Sequence, residues 1–266
     1  MNATLQRVRD AAAPYGLNLV AAIRVDAYDG KVACGLRARE VMPHANSIVA
    51  IANGGGDLWR ALKQHSKQNP GWWNREHPLD DFTHSIIETE IAPAARASGS
   101  RCRVIYPFMG SGPTLNFIEL GKAAGLAGPS VLGVVVNPVF GPWIAFRAAI
   151  LTEELIDSPG NALGFDPCPS CTARTCISAC PAQAVAFPNG WDIPRCLVHR
   201  VESEPDCAPR CHARVGCILG PEHRYPDDEL AYHQMRALRA MRPYYEKNLR
   251  HQGTQTINRK GTKTQS

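Results

Sequence analysis

Eight cysteines between residues 168 and 217 are the residues of this sequence best suited to carry chemistry. Four lie in the run CPSCTARTCISACP at 168–181, and four follow it: Cys196, Cys207, Cys211 and Cys217. Thiolates in sets of four hold iron-sulfur clusters, and two-cluster proteins use three cysteines plus a Pro-flanked fourth that ligates the other cluster. Pro181 follows Cys180 in this manner. The sequence therefore predicts two [4Fe-4S] clusters and an electron-transfer function.

The ligand pattern favours a crossed arrangement of the two clusters. The first cluster would take Cys168, Cys171, Cys176 and the remote Cys217, and the second would take Cys180, Cys196, Cys207 and Cys211. The second and third cysteines are separated by four residues instead of the usual two, so the loop around the cluster is longer. The alternative is a sequential arrangement, in which the first four cysteines bind one cluster and the last four bind the other.

Two other chemistries remain open for these cysteines. Zinc is bound tetrahedrally by paired cysteines, although its sites typically consist of two separated CxxC pairs. A disulfide framework needs an oxidising compartment, and the opening MNATLQRVRDAAAPYG has no apolar signal core. Iron-sulfur clusters in a reducing cytoplasm are therefore the preferred interpretation.

Composition and charge indicate a globular protein with a basic end. The 266 residues are 44% hydrophobic and 20% charged, and the longest apolar stretch is broken by Asn137, Pro138 and Pro142, so no membrane insertion is expected. Lys and Arg number 29 against 24 Asp and Glu, and five of the basic residues lie in 247–266, which holds no acid. This end is predicted to be a solvated tail; a contact to RNA or another polyanion is its functional alternative.

Helices and strands are predicted to alternate over the first 150 residues. Hydrophobic periodicity predicts helices at 2–12, 57–65, 77–98 and 116–126, a helical turn at 38–42, and strands at 17–25, 48–52, 101–108, 131–136 and 143–151. The last two strands are joined by NPVFGP and predict an extended hairpin. The glycine turn, residues 54–56, joins a strand to a helix, where backbone amides could approach an anionic ligand.

The predicted fold class is α+β, with an α/β domain followed by a ferredoxin-type domain. The boundaries that we expect are an α/β domain at 1–157, a [4Fe-4S] domain at 158–226, a C-terminal helical segment at 227–252 and a disordered basic tail at 253–266. SPGN at 158–161 marks the join between the two domains. Pro93 and Pro243 are expected to interrupt the helices in which they lie.

Three further segments carry a resemblance to a known family. They are AAGLAG at 123–128, NPVFGPW at 137–143 and AAILTEEL at 148–155, and together with the cysteine run they span roughly residues 100–220. In these features the chain resembles the cobalamin-dependent reductase superfamily, which includes epoxyqueuosine reductases and corrinoid reductive dehalogenases. The resemblance implies a nitroreductase-like N-terminal domain that holds cobalamin against a two-cluster ferredoxin domain, so that electrons pass from the clusters to cobalt.

One motif of the superfamily is altered in this chain. Epoxyqueuosine reductases have a D-x-x-P-x-x-E segment whose Asp donates a proton, and the corresponding GSGPTLN places Gly110 and Asn116 at the two acidic positions. General-acid catalysis from Gly110 is not expected. Two functions remain open: a reductase that passes electrons to a cofactor or substrate in the N-terminal domain, and a ferredoxin-like carrier or accessory subunit. Both need a redox partner protein as reductant, and the second would dock on a larger enzyme complex.

The segment GPEHRYP at 220–226 supplies candidate binding residues. His223, Arg224 and Tyr225 are predicted to contact a cofactor or substrate, and a turn that locks the two domains together is the alternative. Other candidate ligands or proton donors are the histidines His199, His212, His223 and His233, for which hydrogen-bonded packing is the alternative.

Other residues near the cysteines or along the chain have simpler predicted roles. Three arginines beside cysteines are predicted to offset the negative charge of the clusters: Arg174, Arg195 and Arg210. Cys34 and Cys102 lie outside the group of eight and are predicted to be core thiols. Trp72, Trp73 and Trp143 are predicted to pack, with stacking on a flat ligand as the alternative.

Overall fold

The computed structural model describes residues 2–108, 114–156, 164–203 and 205–250. Gly110, the SPGN segment at 158–161 and the tail at 253–266 lie outside these residues, so the predictions made for them stay predictions. None of the helices in the described ranges is long and apolar enough to cross a membrane.

The N-terminal part alternates helices with four strands. In chain order the elements are α1 (Ala3–Ala12), β1 (Leu19–Arg24), α2 (Val25–Asp29), α3 (Ala38–Val41), β2 (Ser47–Gly54), α4 (Asp57–Gln68), α5 (Pro78–Ile86), α6 (Ala92–Arg96), β3 (Cys102–Ile105), α7 (Phe117–Ala123) and β4 (Ile144–Thr152). The C-terminal part has shorter elements before a long final helix: α8 (Thr175–Ser178), β5 (Val185–Ala186), β6 (Gly190–Trp191), α9 (Ile193–Val198), α10 (His212–Val215) and α11 (Asp227–Asn248).

The four strands form one antiparallel sheet in the order β1-β2-β4-β3. The two central strands are apolar, and every residue of β2 is buried. Alternate side chains of a strand point to opposite faces, and both faces are covered here. Val49 and Ile51 pack into the core that contains α1, α4 and α5, whereas Ile48 and Ala50 pack into the core that contains α2, α3 and α7.

The predicted hairpin is wrong in its first strand. Residues 131–136 form no strand, and only isolated bridges join Gly128 to Val136 and Asn137 to Gly141. Gly133 has φ of 73°, and a Cβ at this position would lie 2.3 Å from Trp191 Cε3. This close approach of the backbone to Trp191 takes the segment away from the sheet. β4 pairs instead with β2 and β3.

The two prolines have different effects on their helices. After α5 the chain makes a π-helical turn at Ile87–Ile91 and continues into α6, so the helix changes type just before Pro93. The predicted interruption near Pro243 is wrong, because α11 continues through it. Tyr245 and Leu249 pack beside Leu197 beyond the proline, and this packing holds the last turns in place.

Helix α11 connects the two parts of the molecule. At its start, Asp228 Oδ2 accepts hydrogen bonds of 3.0 Å from Trp59 Nε1 and from Lys63 Nζ, both on α4. At its other end, Leu238 and Tyr245 bury Leu197 of α9. The helix therefore spans from the α/β part to the cysteine-containing part.

Candidate iron-sulfur site

The eight cysteines line two separate cavities, four in each. The first cavity has a volume of about 260 Å³ and is lined by Cys168, Cys171, Cys176 and Cys217. The second cavity has a volume of about 310 Å³ and is lined by Cys180, Cys196, Cys207 and Cys211. This grouping is the one that the crossed arrangement predicts.

Contact between α8 and α10 brings Cys217 to the first cavity. Gly216 has no room for a side chain, since a Cβ would lie 2.9 Å from Ala179 Cβ and 3.0 Å from Thr175 O. The Thr175 hydroxyl donates a hydrogen bond to the Gly216 carbonyl. A glycine before Cys217 therefore allows the two short helices to meet and closes the cavity across 41 residues of sequence.

The second cavity is built from short helices and backbone hydrogen bonds. Cys196 lies in α9, and Cys211 is the N-cap of α10, with its sulfur accepting from Arg214 N at 3.4 Å. Cys180 Sγ accepts from Ala184 N at 3.4 Å. Hydrogen bonds from N–H groups to cluster sulfurs are one of the factors that set cluster potentials.

Arg200 is a functional residue that the sequence reasoning missed. Its guanidinium donates to Cys207 O at 3.2 Å, to Ala208 O at 3.1 Å and to Gln234 O at 2.8 Å. It therefore fastens the loop that carries Cys207 to α11, and it also lines the second cavity. The only sequence signal was its position four residues after Cys196 on a helix.

Burial controls the protonation of the thiols in both cavities. Desolvation raises the pKa of Cys176, Cys196 and Cys217 above the usual thiol value. Neighbouring thiols in the same cavity add to the effect, for example Cys217 and Cys168 on Cys176. Metal ligation requires the thiolate, so iron that binds here must displace protons.

The cysteines surround volumes and do not converge on one point. In the described ranges, no three His, Cys, Asp or Glu side chains are close enough together to hold one metal ion. In a [4Fe-4S] cubane each of the four irons takes one thiolate, so its ligands also surround a volume. Each of the two cavities is lined by four cysteine side chains.

Arginines lie around both cavities, in partial agreement with the sequence predictions. Arg174 lines the first cavity and stacks on Phe187, with its Cζ 4.2 Å from the ring centroid. Arg210 lines the second cavity, together with Arg200 and Arg214. Arg195 donates instead to Gln183 Oε1 at 3.2 Å. Positive charge at these positions would offset the negative charge of thiolate-ligated clusters.

The segment 223–225 joins the two parts of the molecule. His223 packs on Phe140, with ring centroids 4.5 Å apart, and lies against the glycine turn at Gly55. Arg224 donates to Val215 O at 2.8 Å. Tyr225 is buried against Trp143 and lines the second cavity. His223 and Arg224 therefore make contacts that lock the two parts together, and of the three residues only Tyr225 lines a cysteine cavity.

Three of the four candidate histidines line the second cavity: His199, His212 and His233. The fourth, His223, is the one that packs on Phe140. The glycine turn, which was expected to approach an anion, is covered by the C-terminal segment. A Cβ on Gly56 would lie 3.1 Å from Pro226 Cδ and 3.2 Å from Glu229 Oε2.

A group of polar side chains between the α/β part and α11 was not found from the sequence. We call it the junction group: Asn53, Asp80, Arg147, Glu229 and His233. Arg147 Nε donates to Asn53 Oδ1 at 2.7 Å, and Arg147 Nη1 lies 4.0 Å from Asp80 Oδ1. Glu229 is 1% exposed, and its Oε1 lies 3.8 Å from His233 Nε2. The sequence signal was a Glu one helical turn before a His, in DDELAYHQ.

Charge and burial set the protonation states in the junction group. Burial raises the pKa of Glu229 to about 8, although the charges of Arg147 and Arg214 oppose this rise. Burial and then Arg147, Arg214 and Arg236 lower the pKa of His233 well below its usual value. At neutral pH, therefore, Glu229 is a protonated acid and His233 is an uncharged imidazole.

The remaining candidate residues have structural roles. Asn116 caps α7, with Oδ1 accepting from Ile118 N and Glu119 N at 3.1 Å. The tryptophans pack: Trp73 against Trp59, Trp72 against His65, and Trp143 in the core at 0% exposure. Cys102 is half-buried in β3. The prediction of a core thiol is wrong for Cys34, which is exposed because it lies in the loop between α2 and α3.

Comparison with known proteins gives one curated relative and a recurring fold. No family model matches the chain. An epoxyqueuosine reductase from Gloeobacter violaceus is 25% identical over 254 residues, covering 82% of this chain and 75% of the relative. This similarity supports the resemblance to the cobalamin-dependent reductase superfamily.

Solved structures share the mixed α+β fold of this chain, which contains a small antiparallel sheet. The C. elegans B12-trafficking protein CblC aligns with a TM-score of 0.56 at 13% identity, over 87% of this chain and 90% of that one. An epoxyqueuosine reductase bound to a tRNA stem loop aligns with a TM-score of 0.50 at 15% identity, over 85% of this chain and 68% of that one.

Proposed function

We propose that this protein is an iron-sulfur oxidoreductase whose two [4Fe-4S] clusters pass electrons to an acceptor held by the α/β part. The observation that carries the proposal is the division of eight cysteine side chains between two cavities, four in each. The sequence similarity to an epoxyqueuosine reductase supports a reductase activity. A redox partner protein must supply the electrons, because the clusters store and transfer them.

The residues of this chain would hold and tune the clusters. When bound, each cluster supplies one-electron redox chemistry. Four thiolates in each cavity would bind the irons, and the backbone N–H groups of Ala184 and Arg214 would donate to sulfurs of the second cavity. Arg174 beside the first cavity and Arg200 beside the second would stabilise the added negative charge. A reducing compartment such as the cytoplasm would keep the thiols available.

Cobalamin is the candidate acceptor, and its support comes from the relatives. The described residues do not assign it a site, since the glycine turn is covered by His223, Pro226 and Glu229. No step of the reaction is therefore derived through cobalt. Titration with cob(II)alamin, and separately with flavin, would test the assignment by changes in absorbance and in the EPR spectrum.

The same titration separates this function from its competitor. A ferredoxin-like carrier or accessory subunit would bind neither cob(II)alamin nor flavin and would exchange electrons only with partner proteins. The covered glycine turn and Gly110 at the acidic position of the superfamily motif favour this second candidate. Binding of either cofactor in a one-to-one ratio would favour the reductase.

The two-cluster assignment is tested by counting iron. Protein reconstituted anaerobically with iron and sulfide should contain about eight irons per chain, four for each cubane. Cys34→Ser removes a thiol that lies outside both cavities and should leave this number unchanged. About four irons, or stoichiometric zinc that iron cannot replace, would contradict the assignment.

A further inference from the structure

The junction group lies directly behind the second cavity. His233 lines this cavity, and Glu229 lies on the side of His233 that faces the α/β part, 3.8 Å away. Glu229 Oε2, His233 Nε2 and Arg147 Nη2 are buried, and none has a hydrogen-bond partner among the described residues. Buried polar atoms normally have partners, and unpartnered ones are a common property of groups that exchange protons or bind ligands.

The charged surroundings of the pair come from five elements and from Tyr225, which precedes α11. Arg147 of β4 and Arg214 of α10 act on both Glu229 and His233. The other charged or titratable groups around the pair are Lys63 on α4, Asp80 on α5 beside Arg147, Asp228, Tyr232 and Arg236 on α11, and Tyr225. The excess of positive charge opposes a further proton on His233. Glu229 is therefore the member of the pair that changes its protonation near pH 8.

We propose that Glu229 is the proton-exchanging partner of the cluster in the second cavity. Above about pH 8 Glu229 is a carboxylate while the cluster is oxidised. When that cluster accepts one electron from the redox partner protein, the carboxylate binds one proton from solvent, through His233, and becomes a carboxylic acid. When the electron leaves for the acceptor, Glu229 releases the proton. The coupling is electrostatic, because the added negative charge on the cluster stabilises the uncharged acid relative to the carboxylate. The structure thus assigns a proton source beside the second cavity.

His233 is a positioning residue in this scheme. Its side chain is 24% exposed, whereas that of Glu229 is 1% exposed, so it connects the buried acid to solvent and to the cavity wall. Arg147 holds the other side of the group through its 2.7 Å hydrogen bond to Asn53. Helix α11 places Glu229 and His233 on one face because they are four residues apart.

The inference rests on the proposed function, since it requires a cluster in the second cavity. The test is the midpoint potential of each cluster as a function of pH, measured on reconstituted protein by EPR-monitored titration. The potential of the second cluster should be constant below about pH 8, where Glu229 is already protonated. Above that pH the equilibrium constant for reduction of the second cluster should fall tenfold per pH unit. This corresponds to a fall in its midpoint potential of about 59 mV per pH unit for a one-electron couple.

The molecule contains its own control, because the first cavity is lined by no member of the junction group. The first cluster should therefore keep a constant potential over the same pH range. Glu229→Gln should abolish the pH dependence of the second cluster and retain both EPR signals. Glu222→Gln removes an exposed acid that lines neither cavity and should leave the slope intact.

The outcomes separate the two proposals. Absence of cluster signals in the wild-type protein would remove the proposed function. Two intact clusters with pH-independent potentials, or a slope that survives Glu229→Gln, would overturn the role of Glu229 and leave the two-cluster assignment standing. If Glu229→Gln fails to load iron, Glu229→Asp provides the test, because it keeps a carboxyl group. This variant should shift the pH at which the slope of the second cluster's potential begins. An unchanged onset would also overturn the inference.

Discussion

Replacing the buried acid Glu229 by Gln should change how the stability of the protein depends on pH. Glu229 is 1% exposed, and burial raises its pKa to about 8, above the usual value of 4.5 for a glutamic acid. Between these two pKa values the folded state keeps the proton, whereas the unfolded state has lost it. The unfolded state then binds fewer protons, so the free energy of unfolding falls as pH rises.

The size of the effect follows from the same pKa shift. When the folded state binds one proton more than the unfolded state, the free energy of unfolding changes by about 1.4 kcal/mol per pH unit. Neutral His233 has the opposite dependence, but only below the usual pKa of histidine, so the window above about pH 6.5 isolates the acid. From pH 6.5 to pH 8 the wild-type protein should lose about 2 kcal/mol relative to Glu229→Gln.

Urea unfolding at a series of pH values measures this difference directly. Wild type and Glu229→Gln should be compared anaerobically at equal iron content, because bound metal adds to stability. Glu222→Gln removes an acid whose side chain is 67% exposed and should follow the wild-type curve. Parallel curves for wild type and Glu229→Gln across this window would refute the reasoning, since they would show that Glu229 is ionised in the folded protein.

Two further substitutions test the local structure. Asn116→Ala removes the cap of α7 and should cost about 1 kcal/mol, whereas Asn116→Ser should restore most of it; equal losses in the two variants would contradict the capping role. Gly133→Ala places a Cβ 2.3 Å from Trp191 at φ of 73° and should destabilise by about 1–3 kcal/mol more than Gly99→Ala, which has φ of 80° and no neighbour within 4 Å. Urea midpoints measure both, and equal effects of the two glycine substitutions would contradict the close packing at Trp191.

The sheet was largely predictable because its strands carry a local pattern. The apolar runs of β1, β2 and β4 are visible in the sequence, and all three form. Residues 131–136 have an equally β-rich composition, but Gly133 brings the backbone against Trp191, nearly sixty residues away. Helix α11 likewise continues through Pro243 because its contacts with α9 outweigh a local helix breaker. Local patterns cannot report such long-range contacts.

The two parts of the candidate site differ in the same respect. The cysteines were predictable because residue type and spacing alone mark thiolate ligands. The junction group was not, because Asn53, Arg147 and Glu229 come from three distant segments and only the folded chain brings them together. Arg200 was missed for a related reason, since its importance depends on carbonyl groups of a loop and of α11.

The measurement that tests the account most directly is the loss of iron after single cysteine substitutions. Cys217→Ala, Cys176→Ala and Cys196→Ala should be reconstituted in parallel, with iron counted and the two EPR signals followed. The crossed arrangement predicts that Cys217→Ala and Cys176→Ala lose the same signal, that of the first cluster, and that the second is disturbed because one folded unit holds both. The crossed arrangement would be contradicted if Cys217→Ala kept the first cluster intact and lost only the signal that Cys196→Ala also removes.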